Sequence, residues 1–217
     1  MSKPRIAASA GVISLSIGLS RILGFVRDLY IARFFGTGLQ AQAFVVAFRL
    51  PNLLRDLVAE GAVSSAIVPV LSATRATRSE PEFWRLAQAL WWRTVVTVGA
   101  IGLAGAAAAP WLVRLIAPGF ITEPDKFALT VALTRAFFPF ITLVGLWAFY
   151  SGLLNSLHRF ALPALGSAVL NVAMIAGCVW LSPRFATPVW GLAWGVLLGG
   201  LAQWLMQLPQ AHRLGFR

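Results

Sequence analysis

The sequence predicts an all-α, polytopic membrane protein with six transmembrane helices. Hydrophobic residues make up 59% of the 217 residues and charged residues only 12%. Soluble domains carry about 25% charged residues, so this deficit argues against a soluble α/β enzyme. Several apolar runs are also long enough to cross about 30 Å of hydrocarbon. The net charge of +11 comes from arginines scattered along these runs, so we expect no nucleic-acid partner.

The first predicted span covers residues 6–31, although three charged side chains lie inside it. Its length and the arginine in its interior distinguish it from a cleaved signal peptide. On a regular helix Arg21 and Asp28 share a face, while Arg27 points about 120° away. A bend at Gly24 would bring both arginines to one cavity, and this bend is a hypothesis. Because charge inside a bilayer costs roughly 2.5–3.5 kcal/mol on insertion scales, these residues are candidates for function.

The second apolar stretch, residues 39–71, is too long for one straight span. A helix of that length would reach about 50 Å. Pro51 is therefore expected to kink it, and Gly61 and Pro69 offer further breaks.

A second group of charges lies inside this stretch: Arg49, Arg55, Asp56 and Glu60. Asp56 and Glu60 are four residues apart on one helix face, where two anions repel each other unless a cation is near. Arg55, or an arginine of the first span, would supply that cation. Alternatively, the group lies at a helix end in the headgroup region with its arginines snorkelling. We prefer that interpretation for Arg49 and a functional role for Arg55.

The rest of the chain is predicted to contain a hydrophilic loop and four more spans. The loop covers residues 72–85, and the spans cover residues 86–115, 127–154, 161–181 and 189–208. Loop arginines and lysines concentrate on one side of this arrangement. The positive-inside rule then predicts cytoplasmic N- and C-termini.

The sequence favours transport over catalysis. It contains no Walker loop, GxSxG elbow, HExxH motif or metal-ligand cluster, so we expect neither an enzyme nor a cofactor or metal. Cys178 is the only cysteine, which excludes an intrachain disulfide. Guanidinium groups, in contrast, stay charged and form bidentate hydrogen bonds to phosphate oxygens.

A cavity containing Arg21, Arg27 and Arg55 would suit a phosphate or pyrophosphate group drawn from the lipid headgroup layer. Alternatively, the three arginines only pair with the acidic side chains of the same two segments. The residues by themselves leave both interpretations open.

Several segments resemble the MurJ/MviN lipid II flippase family. The most specific are SRILGFVRD at residues 20–28, AFVVAFRLPNLLR at 43–55 and AEGA at 59–62. Further matches, in the same order along the chain, are APGF at 117–120, DKFALT at 125–130, LNS at 154–156, RF at 159–160 and QLP at 207–209.

The resemblance implies a member of the multidrug/oligosaccharidyl-lipid/polysaccharide exporter superfamily in the bacterial inner membrane. Such proteins flip lipid II, the undecaprenyl-pyrophosphate-linked peptidoglycan precursor, by alternating access of two lobes. The resemblance further implies that a set of arginines binds the pyrophosphate and that other residues support or gate them. The arginines are Arg21, Arg27 and Arg55, and the supporting residues are Ser20, Gly24, Asp28, Asp56 and Glu60.

Two departures from the family pattern limit what the resemblance implies. Gln42 stands where the family is usually acidic, so a role for that carboxylate is not carried over. The family has two six-helix lobes and two extra helices, whereas residues 1–217 resemble the N-terminal lobe alone. We therefore expect a truncated gene, a fragment or half of a split protein, with lipid II, membrane lipids and the C-terminal lobe as partners. The alternatives are another lipid-linked oligosaccharide or drug exporter of the superfamily, and a non-transporting scaffold for cell-wall synthesis.

Overall fold

The computed structural model describes residues 3–56 and 63–216, with the side chains of residues 3–10, 12–13, 56 and 63–65 left out of the description. These residues form α-helices joined by short turns, and the described part of the chain contains no β-strand. The helices are α1 (Lys3–Phe35), α2 (Leu39–Asp56), α3 (Val63–Thr77), α4 (Glu80–Ile116), α5 (Pro124–Ser156), α6 (Ala161–Ala176), α7 (Val189–Leu205) and α8 (Leu208–Arg213).

Helix α5 is the central element, and all of α2, α3, α4 and α7 pack against it. Its buried threonines show how an apolar helix accommodates polar side chains. The hydroxyls of Thr130 and Thr134 donate to the carbonyls of Lys126 and Thr130, each at 2.7 Å. These bonds within the helix satisfy both buried hydroxyls.

Two hydrophobic clusters flank α5. In the first, Phe137 of α5 lies edge-on to Phe44 of α2, with ring centroids 5.6 Å apart, and α6 and α7 complete the cluster. The second joins α3, α4 and α8 to the other half of α5, where Tyr150 meets Trp91 at 5.1 Å. Edge-to-face aromatic pairs at such distances contribute beyond the area they bury.

Glycines bring α6 and α7 into backbone contact. A Cβ on Gly177 would lie 2.7 Å from the carbonyl oxygen of Gly191, and a Cβ on Gly191 would overlap the backbone of Ser182. Gly195, one turn after Gly191, meets the α6 backbone in the same way. Small residues at four-residue spacing permit this close approach between helices in a membrane.

Four helices in the described ranges are long and apolar enough to cross a membrane: Glu80–Ile116, Pro124–Ser156, Ala161–Arg184 and Val189–Arg213. The last of these is longer than α7 because it includes α8, and Ala161–Arg184 includes a π-helical turn (Gly177–Leu181) and a 3₁₀ turn after α6. The all-α class is confirmed, and the last four predicted spans each coincide with one of these helices. The count of six spans is not confirmed and stays a prediction.

The predicted hydrophilic loop at residues 72–85 is wrong in extent. Helix α3 continues to Thr77 and α4 begins at Glu80, so only two residues separate them. Ser79 forms a capping box with Glu82, whose Oε2 accepts hydrogen bonds from the Ser79 backbone N–H at 3.1 Å and hydroxyl at 3.0 Å. This motif starts a helix among polar residues, which is why polarity alone was misleading here.

The predicted second span is divided between α2 and α3. Pro51 lies inside α2 and Pro69 inside α3, so neither proline ends a helix. The break expected at Gly61 falls in residues 57–62, outside the described ranges. Helix α1 is continuous through Gly24, and the bend proposed there stays a prediction.

We expect Gly191→Ala to destabilise the helix bundle, because the added methyl group meets backbone atoms that cannot rotate away. Overpacking of this kind costs about 1–3 kcal/mol. The measurement is denaturant unfolding of the purified chain in mixed micelles, monitored by circular dichroism.

Gly99→Ala is the matched control, because a Cβ on Gly99 has no neighbouring atom within 4 Å. Replacing this helical glycine should leave stability unchanged or raise it by up to about 1 kcal/mol. Equal destabilisation by both substitutions would contradict the assigned backbone contact.

Candidate functional site

A buried asparagine on α6 binds α1 at the most polar part of that helix. Asn171 is only 5% exposed. Its carboxamide oxygen accepts a hydrogen bond from Arg27 Nη1 at 2.8 Å, and its Nδ2 donates to the backbone carbonyl of Ser20 at 3.0 Å. A Cβ on Gly24 would lie 3.6 Å from the same Nδ2, so Gly24 faces the asparagine between these two contacts. Ser20, Gly24 and Arg27 therefore belong to the face of α1 that meets α6.

Arg27 is also paired with its neighbour in sequence. Its Nε and Nη2 donate to Asp28 Oδ1 at 2.9 and 2.8 Å. The Arg27 side chain is 26% exposed and the Asp28 side chain 64% exposed, so the pair is open to solvent on the aspartate side. Arginine has five N–H donors. Three of them are used within the described part of the chain, which leaves two for a ligand.

A cavity of about 560 Å³ opens beside this pair, between α1 and α2. It exists because α1 packs mainly on α6, α2 packs mainly on α5, and the two helices scarcely touch each other. The lining residues are Arg27, Asp28, Ile31, Ala32, Gly36, Ala41, Phe44, Val45, Phe48, Arg49, Asn52 and Met174. Two arginines, an aspartate and an asparagine thus share the wall with apolar and aromatic side chains. The cavity suits an anionic group attached to an apolar one.

The structure brings some of the predicted site residues together and not others. Arg27 and Asp28 line the cavity, whereas Arg21, which is exposed, and Arg55, which is half-buried, are not among its described lining residues. The Asp56 side chain and the whole of Glu60 lie outside the description. A shared pyrophosphate site for the three arginines stays a prediction.

Three residues that sequence reasoning did not assign to the site belong to it in space. Asn171 holds Arg27, while Arg49 and Asn52 line the cavity from α2. One signal was available for Asn171, because it is the only carboxamide side chain in residues 161–181. Arg49 was visible as a charge inside an apolar stretch but was interpreted as a headgroup residue, and Asn52 had no signal. The placement of both depends on how far α2 lies from α1.

Gln42 has a contact that a carboxylate could not make. Its Nε2 donates to the backbone carbonyl of Thr37 at 2.9 Å, across the turn between α1 and α2. An ionised carboxylate only accepts hydrogen bonds. At this position the amide therefore ties the start of α2 to the turn.

Comparisons with known proteins agree on one family. The family model "Lipid II flippase MurJ" matches residues 31–217. The lipid II flippase MurJ of Burkholderia cenocepacia is 41% identical over 191 residues, which cover 88% of this chain and 37% of that protein. The probable lipid II flippase MurJ of Vibrio cholerae is 37% identical over 221 residues, which cover 97% of this chain and 42% of that protein.

A solved structure described as lipid II flippase MurJ in an inward closed conformation has the same fold. The TM-score is 0.77 at 25% sequence identity, and the match covers 93% of this chain and 42% of that one. The chain thus spans about two fifths of the length of these relatives. Because the family model covers most of its residues and the fold agrees, the chain belongs to the lipid II flippase MurJ family.

Proposed function

We propose that this chain forms the N-terminal, six-span lobe of a lipid II flippase and carries part of its pyrophosphate site. The flippase moves lipid II across the bacterial inner membrane by alternating access with a second lobe. The observation that carries the proposal is Arg27, which Asn171 holds from a neighbouring helix at the wall of an open cavity. The proposed activity is transport, without a chemical reaction on the substrate.

The need for this arrangement follows from the position of Arg27 in a membrane helix. A guanidinium at membrane depth requires a partner or a polar cavity. Asn171 supplies a neutral partner that fixes the side chain without cancelling its charge. The two N–H donors of Arg27 that remain can bind phosphate oxygens, for which guanidinium geometry is well suited.

Asp28 would act as the competitor of the substrate. It accepts two hydrogen bonds from Arg27, yet its side chain is largely exposed and can rotate away. A pyrophosphate group would replace the Asp28 carboxylate at Arg27. Return of the carboxylate to Arg27 would then release the anion. In this proposal Arg49 and Asn52 bind the same head group from α2. Arg21 and Arg55, which do not line this cavity, would reach the pyrophosphate in another conformation of the transporter, and Asp56 and Glu60 would pair with or gate the arginines.

A second lobe would close the cavity and cover α1. Large apolar side chains of α1 are exposed along much of its length, among them Leu15, Ile22, Phe25 and Leu29. Arg21 is exposed on the same helix. A surface that combines apolar side chains with a charge at membrane depth is better suited to a protein partner than to lipid alone.

The proposed topology assigns one span to α1, one to α2 with α3, and one each to α4, α5, α6 and α7. Both termini then lie in the cytoplasm, as the arginine distribution favours. The lipid II named for the relatives is the expected substrate of the complete protein, together with the membrane lipids around it.

We expect Arg27→Gln to lower lipid II translocation by about tenfold or more, because hydrogen bonds to a charged group contribute about 1.5–3 kcal/mol each. Arg27→Lys should give an intermediate rate, since it keeps the charge but loses the planar fork. The variants are made in the complete flippase, and lipid II translocation is measured in proteoliposomes.

Arg184→Gln is the control, since Arg184 is exposed and lies outside the cavity. It should leave the rate unchanged. Wild-type translocation by Arg27→Gln would contradict the proposed site.

We expect Asn171→Ala to weaken both the α1–α6 contact and transport. Loss of the hydrogen bonds to Arg27 and Ser20 should destabilise the protein by about 1–3 kcal/mol. Translocation should fall less than in Arg27→Gln, because Asp28 still contacts the guanidinium. Unfolding in mixed micelles and lipid II translocation are measured on the same preparation.

Val172→Ala shortens a neighbouring exposed side chain and should change neither quantity. An Asn171→Ala variant with normal stability and normal transport would show that the buried amide has no positioning role.

A further inference from the structure

A second cavity, of about 360 Å³, lies where the end of α3, the start of α4 and the end of α5 meet the C-terminal part of the chain. Its lining residues are Arg75, Arg78, Glu80, Phe83, Trp84, Leu157, Arg159 and Leu214. None of them lines the cavity between α1 and α2. The volume is at the lower end of the range for small-molecule sites.

Three arginines and one glutamate line this cavity, and the nearby carboxylates are already engaged. Glu80 Oε1 accepts a hydrogen bond from Trp84 Nε1 at 3.3 Å. Glu82 is occupied by the Ser79 cap and lies 4.0 Å from Arg78 Nη1.

Arg75 and Arg159 come from different helix ends, and both are exposed. Within the described ranges neither side chain has a hydrogen-bond or ion-pair partner. The cavity therefore has an unneutralised positive charge.

The other half of the cavity is apolar and aromatic. Phe83 is 3% exposed, and Trp84 packs edge-on against it with ring centroids 4.8 Å apart. Leu157 and Leu214 complete this side. The cavity lies at the start of α4 and the end of α5, which are both candidate membrane spans. This position corresponds to the membrane–water interface, where tryptophan is typical.

We propose that this cavity binds the phosphate of an anionic membrane lipid, such as phosphatidylglycerol, with Arg75 and Arg159 as the principal ligands. Basic pockets between transmembrane helices are suited to anionic head groups. The apolar side of the cavity favours a lipid over a free anion, because it offers a surface for the glycerol and the first part of an acyl chain. The site is separate from the proposed pyrophosphate site and does not depend on flipping.

The experiment compares lipid binding by the purified 217-residue chain and two variants. Native mass spectrometry in detergent measures the apparent dissociation constants of one-to-one adducts with phosphatidylglycerol and with phosphatidylcholine. Wild-type chain should prefer phosphatidylglycerol. In the double variant Arg75→Gln, Arg159→Gln, the preference for phosphatidylglycerol should fall roughly fivefold for each arginine removed. This expectation follows from about 1 kcal/mol per basic residue near an anionic lipid.

Arg85→Gln is the matched control, because Arg85 is exposed on the first turns of α4 and is not among the lining residues. It removes one charge from the same surface and should keep the preference. Circular dichroism must show the same helix content for all three proteins.

Three results would overturn the proposal. The first is equal binding of both lipids by the wild-type chain. The second is a loss of the phosphatidylglycerol preference in Arg85→Gln as large as in the double variant, which would indicate diffuse surface charge. The third is displacement of phosphatidylglycerol by millimolar inorganic phosphate in a wild-type sample, which would identify a free anion as the ligand. Because lipid II is absent from the assay, failure here leaves the flippase proposal unaffected.

Discussion

The contact between Asn171 and α1 is the interaction on which the candidate site depends. One carboxamide, almost fully buried, joins the Arg27 guanidinium and the Ser20 carbonyl to α6. Leaving such an amide unpaired costs about 1–3 kcal/mol, so the two helices are held in one register. The same contact directs Arg27 towards the cavity, because the neutral amide binds one donor of the guanidinium without pairing its charge.

That contact requires α6 to keep a fixed position, and glycines of α7 and of the turn after α6 provide this. Gly177, Gly191 and Gly195 let the two backbones meet, which leaves α6 little freedom to slide along α7. Both helices also share the aromatic cluster around Phe137 of the central helix α5. The cavity between α1 and α2 then follows, because each of these helices is bound to a different part of the bundle.

The two basic cavities differ in how their charge is balanced. Arg27 has a neutral partner and an acidic partner next to an open cavity, which suits an anion that must be bound and then released. Arg75 and Arg159 stand at helix ends without acidic partners in the described ranges, beside buried aromatic side chains. That arrangement suits an anionic head group that stays in place.

The sequence by itself determined the all-α membrane class and the positions of the last four candidate spans, because each of these spans is a long apolar run. It also singled out Arg27 and Asp28 as candidates, because charge inside an apolar segment is visible without coordinates, and both line the cavity between α1 and α2. It misjudged residues 72–85, where a capping box starts α4 among polar residues. Only the tertiary structure decided that Asn171 holds Arg27, 144 positions away, and that Arg49 and Asn52 share its cavity. Such pairings depend on how helices distant in sequence pack together, which the local pattern of residues does not encode.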